Sequence, residues 1–239
     1  MTHAFGELSA RAGPAPLLWI LVTLGAYLAA QRLQRRLGGA ALANPVLIAI
    51  GLVAAALLAT RTAYATYFAG AQFIHSLLGP ATVALGAPLA RNIRHVRSSL
   101  KGVGLALAAG ASVAAATGFG LVWALGGSRE VALSMAPKAA TTPIAIAVSQ
   151  QIGGAPALTA ALAILGGIIA AVVGERLLTA LRITDHRAHG FAAGLAGSGI
   201  AAAQAARLGG LATAFAGLGI ALNGVATALL APLLAYCWR

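Results

Sequence analysis

Ser134-Met-Ala-Pro-Lys-Ala-Ala-Thr-Thr-Pro-Ile-Ala-Ile-Ala-Val-Ser-Gln-Gln-Ile-Gly-Gly-Ala-Pro156 is the stretch on which the fold turns. It lies among long apolar segments, yet it carries Lys138, Thr141, Thr142, Ser149, Gln150 and Gln151. Pro143 removes a backbone donor and disfavours a helix running through it. Bilayer hydrocarbon offers no partner to freed backbone groups, so a lipid-facing segment of this kind is excluded. The stretch is expected inside protein or against a wet cavity, where polytopic membrane proteins keep polar chemistry.

Composition supports that setting. Hydrophobic residues make up 60% of the 239-residue chain and charged residues only 8%. A bilayer span needs about 20 apolar residues, and uncharged runs of that order recur along the chain: Ala12–Gln31, Leu37–Thr60, Thr62–Ala90, Gly102–Ser128, Ala139–Gly174, Ala188–Ala206 and Leu208–Trp238. The expected fold class is all-α, a polytopic transmembrane helix bundle with about seven crossings and broken or re-entrant segments, forming one domain over residues 1–239. The 30 glycines favour close helix approach, and Gly190-Phe-Ala-Ala-Gly194 is one small-xxx-small face.

The net charge of +12 does not point to nucleic acid, because the basic residues gather in the short breaks between apolar runs. With 131–154 re-entrant, the loops 31–36, 91–101 and 175–187 and Arg239 place eleven basic residues on one side and leave four on the other. The positive-inside bias then makes that richer side cytoplasmic, with the N-terminus outside and the C-terminus inside a bacterial inner membrane. A first span near Pro16–Ala30 is expected to be retained, since Glu7 and Arg11 precede it and no basic lead is present. An internal echo pairs Gly79-Pro80-Ala-Thr82 through Pro88 with Ala136-Pro137 through Pro143, which makes an inverted repeat a candidate.

The chemistry within reach suits an anion. Glu7, Glu130, Glu175 and Asp185 are the whole acidic set, and all lie in tails or loop edges. His186 and His189 sit in a charged loop without a third ligand and are read as interfacial. No nucleophile, zinc or phosphate-loop motif is present, so no enzyme and no cofactor or metal is expected. Lys138 offers a positive charge, and Thr82, Thr141, Thr142 and Ser149 offer hydroxyls. Half-helix N-termini at Pro80 and Pro143 would add N–H groups with partial positive charge. The candidate substrate-binding residues are therefore Lys138, Thr141, Thr142, Pro143, Ser149, Pro80 and Thr82. Asn223, Gln150 and Gln151 are noted only as neutral donors.

At these residues the chain resembles the LrgB/CidB family. The likeness is carried by Leu77-Leu-Gly-Pro-Ala-Thr-Val-Ala-Leu-Gly-Ala-Pro-Leu89, by Ser134 through Ser149, and by Gln151-Ile-Gly-Gly-Ala-Pro-Ala-Leu-Thr159, and it runs over nearly the whole sequence. The resemblance implies a protein similar to the LrgB half of the plastid glycolate/glycerate translocator. It implies a carrier of small monocarboxylates of the pyruvate, glycolate or glycerate class, working by alternating access. The alternative it implies is an antiholin-like regulator of murein hydrolase export and autolysis. An LrgA/CidA-type holin-like membrane partner is expected in either case, and a homo-oligomer is left open. One departure stands out: the family tends to carry Ser-His-Gly-Ile-Gly-Thr in its penultimate span, and this chain reads Gly197-Ser-Gly-Ile-Ala-Ala202.

Overall fold

The computed structural model describes residues 15–37, 45–77 and 90–238. These are helical throughout, in two compact units, 1–84 and 85–239. The first unit contains α1 (Ala15–Arg36), α2 (Pro45–Ala59) and α3 (Tyr64–Ser76). Pro45 opens α2, where its missing N–H costs nothing. Trp19 of α1 meets Tyr67 of α3 edge-on, ring centroids 5.6 Å apart, and Thr23 Oγ1 lies 3.1 Å from the Tyr67 hydroxyl.

The second unit contains α4 (Ile93–Ser98), α5 (Leu100–Ala124), α6 (Arg129–Met135), α7 (Thr142–Ile152), α8 (Pro156–Ala180), α9 (His186–Ala205) and α10 (Gly210–Cys237), with a 3-10 turn at Ala206–Leu208. Helices α5, α8 and α10 have 25, 25 and 28 residues and are apolar enough to cross a membrane, as is Leu17–Arg36 in the first unit. At 1.5 Å per residue, 25 residues reach about 37 Å, beyond the roughly 30 Å hydrocarbon core. The large side chains point outward: Leu105, Leu121, Leu165, Ile169, Leu229 and Leu233 are exposed. The interior is rich in Ala and Gly, with a few hydroxyl residues and a few large side chains such as Phe119, Phe191 and Phe215. A lipid solvent gives no reason to hide leucine, whereas close helix approach needs small side chains inside. The face carrying Gly190 and Gly194 shows this directly, since a Cβ at either glycine would meet the carbonyl oxygen of Ala212 or Ala216 on α10.

Two of the remaining segments enter the bundle and turn back. Arg129, at the start of α6, donates to the carbonyl of Ala235 near the end of α10. The connection after α6 reaches Ala139, whose carbonyl meets Asn223 near the middle of α10. Then α7 returns: Ile144 packs at Gly224, and Val148 joins Ala231 and Ala235 in one apolar cluster. Residues 129–152 are thus a re-entrant hairpin whose two ends lie at one end of the bundle.

The second hairpin is α9. The stretch 190–206 reads as a crossing helix by composition, but Ser198 has φ 50° and ψ −141°, which breaks it. Before the break α9 runs parallel to α10, with Gly190 at Ala212 and Gly194 at Ala216. Two consecutive segments can be parallel only if the chain returns between them. Residues 199–208 make that return. Ile200 packs at Gly167 of α8, and Ala202 joins Ala216 and Ile220 of α10 in one apolar cluster. The polarity of this second hairpin is opposite to that of the first. Arg187, at the start of α9, donates to Ser99 Oγ, which places loops 91–101 and 181–187 at the other end of the bundle from Arg129. Asp185 caps α9 by accepting from the N–H of Arg187 at 2.8 Å. The Arg187 guanidinium hydrogen-bonded to Asp185 holds that carboxyl below the usual carboxylate range.

Candidate functional site: two hairpin tips at mid-bundle

The tips meet at Asn223, which is 1% exposed. Its Nδ2 donates at 2.9 Å to the carbonyl of Ala139 on the first tip and at 2.9 Å to that of Leu195 on the second. One amide side chain on a crossing helix thereby ties together two hairpins from opposite ends. Helix termini of both signs are gathered there. The N-termini of α7 at Thr142 and of the returning half of α9 at Gly199 bring N–H groups and partial positive charge. The ends of α6 and of the first half of α9 bring carbonyls and partial negative charge.

Lys138 lies on the first tip, and its Nζ donates at 3.1 Å to the carbonyl of Ala114, near the middle of α5. Gly118 makes room for it, since a Cβ there would come within 3.1 Å of Nζ and 2.8 Å of the Met135 carbonyl. The amine is therefore held at mid-depth. Lys138, Ala139 and Leu195 also line a cavity of about 530 Å³ between α5, α8 and α9. Its walls are apolar apart from Lys138, Glu175, His189 and Gln204. His189 is buried, with Nε2 2.7 Å from the Ile183 carbonyl, so it is a packed ring of the second hairpin rather than an interfacial side chain.

Of the other candidates, Thr141 is the N-cap residue of α7 by backbone geometry and its side chain makes no capping bond; Thr142 and Pro143 form the first turn. Proline is tolerated there because that N–H has no helical partner. Lys138, Thr141, Thr142 and Pro143 therefore share the first tip. Ser149 lies seven residues on, about 10 Å along α7. It is fully buried in a hydroxyl cluster with Ser134 and Thr159. Thr159 Oγ1 lies 2.7 Å from Ser149 Oγ and 3.1 Å from the Ser134 carbonyl, and Ser134 Oγ accepts from the Ala155 N–H at 2.7 Å. This cluster ties both arms of the first hairpin to the start of α8. Pro80 and Thr82, and with them the first half of the internal echo, lie outside the described residues. Gln150 and Gln151 are exposed at the hairpin's open end.

Thr159→Val keeps the shape but strips a bonded hydroxyl from a dry cluster. A buried hydroxyl pair broken on one side costs about 2 kcal/mol, which lowers the melting temperature by roughly 4–8 °C in a chain of this size. Thermal unfolding of the purified variant measures it.

Comparison with known proteins places this architecture. The model of the LrgB-like family matches residues 23–237. The chain is 32% identical over 227 residues to the uncharacterized protein YxaC of Bacillus subtilis, covering 93% of this chain and 96% of that one. It is 29% identical over 218 residues to the antiholin-like protein LrgB of Bacillus cereus (strain B4264), covering 91% and 95%, and equally so to that of Bacillus anthracis (strain CDC 684 / NRRL 3495). No solved structure matches. With apolar helices long enough to span a bilayer and a family match over nearly its whole length, this is a membrane protein, and it belongs to the LrgB-like family.

Proposed function

We propose that this chain is a carrier of small monocarboxylates that works by alternating access in the bacterial inner membrane, with no chemical step of its own. The observation behind this reading is the meeting of two opposed hairpins at Asn223. Discontinuous helices that bring N-termini to mid-membrane are a recurring way to hold an anionic group. The carboxylate is assigned to Lys138 and the first turn of α7, where Thr141 and Thr142 offer hydroxyls. The hairpin-plus-helix pairs 129–180 and 186–237 run in opposite senses, which is the inverted pattern such carriers use. The test is uptake of labelled pyruvate, lactate, glycolate and glycerate into proteoliposomes. Saturable uptake supports the carrier; a flat baseline with every substrate, with and without a pH gradient, contradicts it.

A second reading is a regulator of autolysis that acts on a holin-like partner of the LrgA/CidA type. The name antiholin-like, borne by the Bacillus relatives, favours this reading over the carrier. It calls for a stable complex with the partner and for lysis phenotypes that persist in Lys138→Ala.

The proposed topology follows the hairpins. Arg91, Arg94, Arg97, Lys101, Arg176, Arg182, Arg187 and Arg207 belong to one end of the second unit, which the positive-inside bias makes cytoplasmic. α10 then carries the C-terminus to the outside, the reverse of the cytoplasmic C-terminus expected from the charge pattern.

A further inference from the structure

We infer that the crossing of the hairpins is a binding site for a monovalent cation of the sodium kind, centred on Asn223 Oδ1. Both hydrogens of the Asn223 amide are committed, to the carbonyls of Ala139 and Leu195, and this fixes which end of the amide is oxygen. The oxygen itself is buried and has no hydrogen-bond partner. A buried acceptor left alone is costly, and here it lies where two hairpin tips meet. What it lacks is a donor or a cation. The Ala139 and Leu195 carbonyls each keep a second lone pair beyond the one given to Asn223. The Ser134, Met135 and Pro137 carbonyls are already taken, by the Thr159 hydroxyl and by the N–H groups of Lys138 and Ala140. The oxygens left for a ligand are therefore Asn223 Oδ1 and the spare lone pairs of the two carbonyls its amide already holds.

The charge of the ligand follows from the donor set. Among the described residues the acids are Glu130, Glu175 and Asp185, and all are exposed at helix ends away from Asn223. Calcium and magnesium sites are built on carboxylates, whereas carbonyl and amide oxygens alone suit a singly charged ion. Lys138 is the charge that could oppose it. Lys138 and Ala139 turn to different helices, the amine to Ala114 on α5 and the carbonyl to Asn223 on α10. Asn223 is not among the residues lining the 530 Å³ cavity that Lys138 enters. A cation at Asn223 and an anion at Lys138 thus occupy separate but adjacent places, and each stabilises the other. The site stands on the crossing alone; its use as the coupling ion rests on the carrier reading.

The experiment is thermal unfolding of the purified full-length chain in detergent, in sodium chloride and in choline chloride of equal ionic strength, together with retention of ²²Na⁺. The site predicts a saturable rise in melting temperature with sodium, about 4 °C at ten times the dissociation constant, with ²²Na⁺ retained. Asn223→Ala removes both responses. If that variant does not fold, the two wild-type measurements decide by themselves. Equal melting in the two salts with no ²²Na⁺ retained overturns the site. Neither measurement needs transport: sodium binding without carboxylate uptake retires the carrier and keeps the site, and sodium-independent uptake alongside equal melting does the reverse.

Discussion

On the carrier reading, Lys138→Ala is expected to cut carboxylate uptake at least tenfold in initial rate while the protein still inserts and folds. Lys138 carries a charge to the middle of a bundle whose interior is mainly apolar and rich in Ala and Gly, and it anchors that charge on the Ala114 carbonyl. An anion leaving water for such a place needs a compensating charge, because the cost of burying it alone is prohibitive. Loss of about 1.4 kcal/mol of binding is already a factor of ten, and removing a charged partner removes more than that. The amine bonds to a main-chain carbonyl and to no other side chain among the described residues, so its removal leaves the helix packing intact. Uptake at wild-type rate in Lys138→Ala proteoliposomes would take the residue out of the site.

Gly190→Val and Gly194→Val are expected to be the most damaging substitutions to the fold. A Cβ at either position falls on a carbonyl oxygen of α10, at Ala212 or Ala216, and neither can retreat without moving a helix. Overpacking costs about 3 kcal/mol where the neighbour cannot yield, so the melting temperature falls by roughly 6–12 °C. Gly166→Ala is the control, since nothing lies within 4 Å of a Cβ there. These two glycines set the distance between the second hairpin and α10, and so the reach of Asn223 to Leu195.

The first hairpin could be read from the sequence because its tip is chemically conspicuous. Pro137, Lys138, Thr141 and Pro143 cannot face lipid, and all four lie at the tip. The second hairpin could not. Its turn is Gly197-Ser198-Gly199, with no proline or charge, inside an uncharged Ala-rich stretch of about the length of a span. Hydropathy records how deep a residue lies and says nothing about whether the chain goes on or turns back. The charge count does not help either. The reading with a crossing at 190–206 puts Arg239 inside and Arg207 outside; the hairpin exchanges the two and leaves eleven basic residues against four. Only the parallel run of α9 beside α10 tells the cases apart. Ser198 has a positive φ that glycine would adopt more readily, and it stands where the family resemblance implies histidine.

The site was legible in the same uneven way. Lys138 and its threonines share a tip as the spacing suggests. Ser149 instead serves the hydroxyl cluster with Ser134 and Thr159. Asn223, read as one neutral donor among several, is the residue that joins both tips, because an asparagine near the middle of a 28-residue apolar helix is visible in sequence but its two partners are not.

Cys237 is the single cysteine and is exposed at the end of α10, so it reports sidedness without any added label site. The decisive measurement is its reaction with a membrane-impermeant maleimide in intact spheroplasts, alongside the variant Cys237→Ser/His186→Cys in the loop before α9. Two opposed hairpins predict that Cys237 reacts from outside and that the cysteine at position 186 reacts only after the membrane is opened. Equal protection of both positions would mean that α9 crosses the membrane, and the meeting of hairpin tips at Asn223 would fall with it.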